Sequence, residues 1–212
     1  MIEDRADFYF HLEELRRTII RCVVYVLLGA VVTFIFWRDL CGLFVVPVKG
    51  LLDAGLLLVT NQPTEAFTLS IQLSLMGGLV VALPAVLVDL WAFVSPGLLP
   101  NEKKYVARGL PAVLFLFFLG VAFAYVVFPV GMRFLYSFAA AAGLKPFWSI
   151  TGYLKFLLWS CLAVGAIFEL PVVTGLLAML GLVSSTFLAR KRRHAIIIVL
   201  IFAAIITPSV DA

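Results

Sequence analysis

Residues Leu157–Leu180 read "LLWSCLAVGAIFELPVVTGLLAML", and Glu169 is the only charge among them. As a helix rising about 1.5 Å per residue, the stretch is about 36 Å long, enough to cross a hydrocarbon core of about 30 Å. A carboxylate at the centre of such a helix costs about 2.5–3.5 kcal/mol on insertion scales, so it usually faces a bundle interior or a wet cavity. Pro171 lies two residues on and leaves a backbone carbonyl of the preceding turn without its amide partner. Glu169 and Pro171 together predict a polar notch at mid-membrane. The alternative is a buried carboxylate paired for structural reasons alone.

The rest of the chain agrees with a membrane setting. Hydrophobic residues make up 64% of the 212 residues and charged residues 13%, against about one half and one quarter in soluble domains. Mean hydropathy is +1.13. The apolar runs are long and do not alternate, which predicts helices rather than barrel strands. Working outward, spans are expected at about 19–37, 66–91, 110–130, 153–181 and 195–207, in one transmembrane domain covering 1–212. Pro84 is expected to kink the second. Pro47, Gly50, Gly55 and Pro63 break up the region before it. The first 37 residues start with acidic residues ("IEDRAD") and lack a small-residue cleavage site, so they read as an amphipathic segment leading into a span, not a cleaved signal.

Eleven of the sixteen lysines and arginines fall on one side of this arrangement: four from Arg5 to Arg21, three from Lys103 to Arg108, and four from Arg190 to Arg193. The excess of basic residues on the inner side puts the N-terminus in the cytoplasm. The fifth run has thirteen residues, "AIIIVLIFAAIIT", and gives only about 20 Å of helix. Either it thins the bilayer locally or it is the first half of a short hairpin whose second half, a sixth span, is missing; the alternative to the missing span is a natural five-helix protein.

Three further stretches carry polar chemistry. In "HLEELRRTIIR", Glu13 and Arg17 stand four apart, in the favourable order for a helix ion pair. Glu14 lies about 100° round the helix, with Arg17 or Arg21 as its cationic options; blandly, it is one more solvated charge. In "SPGLLPNEKKY", Ser95 and Pro96 read as an N-cap and first helical residue, while Pro100 opens the third long helix and puts Glu102 in its first turn. Asp89 sits towards the cytoplasmic end of the second span, either snorkelling or facing the notch. Gln72 and Thr207 are weaker polar candidates. Cys22, Cys41 and Cys161 match no metal or disulfide spacing. Motifs for zinc proteases, phosphate-binding loops and nucleophile elbows are missing, and the two histidines lie at membrane edges. No enzyme, metal or cofactor is implied.

Taken together, "HLEELRR", "WAFVSPGLLPNEKK", "FELP" and "ITP" resemble, in order, the N-terminal, first-loop, fourth-span and fifth-span motifs of the TatC family, the receptor and core subunit of the twin-arginine protein translocase. The resemblance covers essentially the whole chain. It implies an all-α polytopic membrane protein: a concave bundle of six helices, five of them visible here, with short final spans. It implies that Glu14 and Glu102 recognise a twin-arginine signal peptide beside the motif arginine Arg16, that Phe93, Pro96 and Leu98 shape that site, and that Pro47 is a proline of the first outer loop. Glu169 matches an intramembrane glutamate on the concave side and Thr207 the threonine beside it, implying a foothold for TatA- or TatB-type single-span partners. The resemblance also implies a bacterial-type inner membrane and a homo-oligomer within a complex. Asp89 stands where many relatives have glutamine, which adds a second acid near the loop, and "TPSVDA" departs from the family's usual ending, around Asp211.

A guanidinium offers a planar fork that a carboxylate accepts bidentately, whereas lysine offers a point charge. Two separated glutamates therefore suit an Arg-Arg pair. A secondary transporter using Glu169 is the competing reading; it predicts internal repeats and several mid-membrane ionisable groups, and the sequence shows neither. An intramembrane hydrolase lacks both nucleophile and base.

Overall fold

The computed structural model describes residues 2–95, 100–144, 146–179 and 197; for 2–11, 94, 100–102, 104–108 and 179 it describes the backbone alone. The elements run α1 (Ile2–Ile35), α2 (Trp37–Val45), a 3-10 turn (Val46–Val48), α3 (Lys49–Asp53), β1 (Leu57–Val59), α4 (Glu65–Val94), α5 (Pro100–Ala141), β2 (Phe147–Ser149), α6 (Ile150–Phe168) and α7 (Leu170–Met179). Four stretches are long and apolar enough to cross a membrane: Leu12–Ile35, Glu65–Phe93, Gly109–Ala141 and Ile150–Ala178. Their Leu, Val and Phe side chains stay exposed over much of each helix, as lipid-facing surfaces require. Of the expected fifth span at 195–207 only Ile197, helical and exposed, is described.

The helices alternate direction between two ends. α1 and α4 pack against each other more extensively than any other pair. With no hydrophobic drive between helices in lipid, such a seam depends on close backbone approach. Gly29 and Gly78 provide it: a Cβ on Gly78 would stand 2.3 Å from the Ala30 nitrogen, and one on Gly29 would stand 2.7 Å from the Gly78 carbonyl oxygen. Beside them the Thr33 hydroxyl donates to the Ser74 carbonyl at 2.7 Å. α5 and α6 form a second seam, where Gly165 lies against Phe117, and Gly120 against both Gly165 and Phe168.

One end is closed by the segment between α1 and α4. β1 and β2 pair in parallel, Leu57 opposite Phe147 and Val59 opposite Ser149. Ser149 caps α6, its Oγ accepting from the Gly152 amide at 3.2 Å. The same hydroxyl donates to Glu65 Oε1, and the Asn61 amide donates to Glu65 Oε2. Three tyrosines tie the spans to this end: Tyr125 donates to the Leu43 carbonyl at 2.8 Å, Tyr136 to Ala54 at 2.7 Å and Tyr153 to Phe44 at 2.8 Å. Under them sits the core of Val48, Leu51, Leu56, Leu154 and Leu157. Pro47 is the second residue of the 3-10 turn, within a first turn where a missing N–H costs nothing. Burial pushes the Cys41 thiol up, consistent with an apolar role. Tyr153 is 4% exposed, so Tyr153→Phe should cost about 1 kcal/mol of stability through its lost hydrogen bond, read as a lower melting temperature in detergent.

One local expectation is corrected. Ser95 does not open a helix: it ends α4 in helical geometry, and its hydroxyl donates back to the Ala92 carbonyl at 3.3 Å. The Pro96 part of that expectation lies outside the described residues, and the next described helix starts at Pro100. The fourth apolar stretch is one membrane-length span, as expected, built of two helices, α6 and α7, that meet at Glu169. The Glu169 carbonyl accepts from both Val172 and Val173 at 3.0 Å, and Pro171, which cannot donate, sits in the first turn of α7. α4, by contrast, is one helix through Pro84.

Candidate functional site

At the end opposite the β-pair, α1 carries a small open concavity lined by Glu13, Glu14, Arg17 and Arg21. The spacing that puts them on one surface is helical: Glu14, Arg17 and Arg21 are three and four residues apart. Arg17 reaches Glu13 at 2.7 Å, as the four-residue spacing predicts. Arg21 reaches across to α4, its Nε 2.8 Å from Asp89 Oδ2. The contact is close in distance but lacks hydrogen-bond alignment, since Oδ2 accepts no bond. Arg21 also donates to the Thr18 hydroxyl at 3.3 Å. Among the described residues Glu14, half-buried, has no ion-pair partner.

The other sequence-selected residues fall in distinct places. Arg16 is exposed on α1, and Phe93 is half-buried in the last turn of α4. Glu102 lies in the first turn of α5, as expected from Pro100, described by its backbone. Pro96, Leu98, Thr207 and Asp211 lie outside the described residues. Asp89, grouped in the sequence with Glu169, instead meets Arg21. Spacing along one helix cannot reveal that pair. The available signal was a lone acid near one end of the second span, which needs a cation at equal depth on the first. Fixing the register at Thr33–Ser74, twelve residues back along α1 and fifteen on along α4 give about 18 and 22 Å, which brings Arg21 and Asp89 level.

Glu169 makes a second polar point. It sits at the break between α6 and α7, next to the close α5–α6 crossing. Both carboxylate oxygens are buried, and among the described residues neither completes a hydrogen bond, although the Phe117 backbone lies near. A buried carboxylate without partners is costly and marks the break as a place where a polar group from another helix would be stabilising. Gln72 Oε1 on α4 is similarly unpartnered. Among the described residues no group of three or more His, Cys, Asp or Glu is placed to hold a metal ion.

Residues 10–212 match the family described as Sec-independent protein translocase protein (TatC). The chain belongs to the TatC family. Its similarity to TatC of Carboxydothermus hydrogenoformans is 35% identity over 212 residues, spanning 99% of this chain and 86% of that relative. TatC of Escherichia coli strain K12 is 31% identical over 208 residues, spanning 98% of this chain and 80% of the relative. A crystal structure of the twin arginine translocase receptor TatC superposes with a TM-score of 0.84 at 32% identity, covering 94% of this chain and 88% of that one. Membership makes this TatC-family chain a multi-pass membrane protein and a component of a protein translocase, a transport subunit and not an enzyme. Partnership with other Tat subunits follows from the same membership.

Proposed function

We propose that this chain is the receptor that binds twin-arginine signal peptides, with its N-terminus and the Glu14 concavity on the cytoplasmic side of a bacterial-type inner membrane. The observation that carries the reading is Glu14: a half-buried carboxylate in a concavity, next to two arginines, each occupied by another acid. A free carboxylate at that position accepts a guanidinium fork. Glu102, in the first turn of α5, supplies the second carboxylate of an Arg-Arg site, with Arg16, Phe93, Pro96 and Leu98 bordering it. The basic residues counted above favour this orientation.

Partner single-span subunits of the TatA or TatB kind dock at Glu169, with Thr207 contributing from the fifth apolar run and several copies of the chain sharing one complex. The unpartnered oxygens at the helix break support this role. Asp89 is removed from the docking group, because Arg21 occupies it. The secondary-transporter reading loses ground for the same reason: Asp89 is tied up at one end of the α1–α4 seam.

The deciding experiment is binding of a fluorescent twin-arginine signal peptide to the detergent-purified protein, beside a twin-lysine peptide and the Glu102→Gln variant. Arg-selective binding that Glu102→Gln weakens supports the receptor. Equal, weak binding of both peptides overturns it and favours the transporter. Glu169→Ala should leave peptide affinity within about twofold, below the ~1.4 kcal/mol of a tenfold change, while lowering co-purification of the partner subunits. Lost peptide binding would place Glu169 in the recognition site instead.

A further inference from the structure

Resting on the receptor reading above, we propose that Asp89 is a positioning residue for peptide recognition: by holding Arg21 on α4, it keeps an internal guanidinium off Glu14.

Glu14 and Arg21 are seven residues apart on α1, hence within about 20° of one helix face and about 10 Å apart along it. Both line the same concavity. A glutamate and an arginine side chain span such a distance between them, so an untethered Arg21 would turn back to Glu14. The ligand's first arginine would then compete against a guanidinium already at high local concentration. Two acids prevent this. Glu13 engages Arg17 at 2.7 Å, and Asp89 engages Arg21 at 2.8 Å. Asp89 is the better placed of the two, with its side chain 17% exposed against 59% for Glu13, so solvent screens its pair less. The Arg21–Asp89 contact is thus a strut whose consequence is electrostatic: it leaves Glu14 with its charge available.

The test is a double-mutant cycle read by titration of the fluorescent twin-arginine peptide into the full-length protein in detergent. Asp89→Asn keeps the shape and removes the charge; it should weaken binding by roughly threefold to fivefold, the upper scale of a partly exposed ion pair. Adding Arg21→Gln to that variant removes the competitor and should restore affinity to within about twofold of wild type. A purely structural strut predicts the opposite, because the double variant lacks the strut just as the single one does. The melting temperature of each variant is measured alongside, and the independent Gly29–Gly78 and Thr33–Ser74 contacts are expected to keep all of them folded. Unchanged binding in Asp89→Asn, or a double variant as weak as the single, overturns the inference while leaving the receptor intact. Wild-type protein that fails to bind the peptide overturns both.

Discussion

Replacing Gly78 with leucine should prevent α1 from docking on α4, with a loss of stability of about 3 kcal/mol or more. The reason is in what surrounds the missing side chain. A Cβ there meets the Ala30 nitrogen at 2.3 Å, the Ala30 Cα at 2.6 Å and the Val26 carbonyl oxygen at 2.8 Å. These are backbone atoms of the neighbouring helix and cannot rotate aside. Relief requires moving the two helices apart, and separation breaks the Thr33–Ser74 hydrogen bond and the Arg21–Asp89 contact along the same seam. Water outside the bundle would offset part of such a loss in a soluble protein; lipid tails offer the separated polar groups nothing. Gly42→Ala is the control, since a Cβ at Gly42 meets nothing within 4 Å. Size-exclusion profile and melting temperature in detergent decide the matter. A Gly78→Leu protein that elutes and melts like wild type would show that the helices do not cross so closely.

The second large effect is functional. Glu14→Lys should lower twin-arginine peptide affinity by about a hundredfold or more, combining loss of a charge-assisted bidentate contact with a repulsive pairing. The fold should survive, because Glu14 is half-buried and has no ion-pair partner among the described residues; unchanged melting would confirm that. The discrimination between twin-arginine and twin-lysine peptides should collapse together with the affinity, since both then meet a cation. Retained tight, Arg-selective binding would move the recognition site away from α1.

Much of the architecture was legible from single runs of residues. The four long apolar stretches declare their helices because a lipid-facing helix has few other compositions available. The Glu13–Arg17 pair and the start of α5 at Pro100 are local, set by spacing within one turn. What stayed hidden is what joins segments distant in sequence. Nothing in "LLV" or "FWS" announces a strand three residues long, and each makes sense only beside the other. Gly29 and Gly78 read as neutral glycines until a second helix lies on them. Asp89 reads as a stray acid until Arg21 faces it. Within the candidate site, Glu14 was legible through its motif, whereas its lack of a counterion follows from what Arg17 and Arg21 do instead. Ser95 misled because serine before proline has the same local signature at either end of a helix.

The parallel pairing of β1 with β2 also sets a schedule for making the protein. Leu57 leaves the ribosome ninety residues ahead of its partner Phe147, which at about 5–20 residues per second is an interval of about 5–18 s. Within it, α4 is completed at Val94 and can lie on α1, and Tyr125 and Tyr136 arrive for the carbonyls of Leu43 and Ala54, but Glu65 and the Phe44 carbonyl still wait for Ser149 and Tyr153. A nascent chain halted before residue 147 therefore has a finished first hairpin with an unsealed end. Among the described residues, the polar contacts that seal this end are completed only when the chain reaches the start of its fourth long apolar stretch.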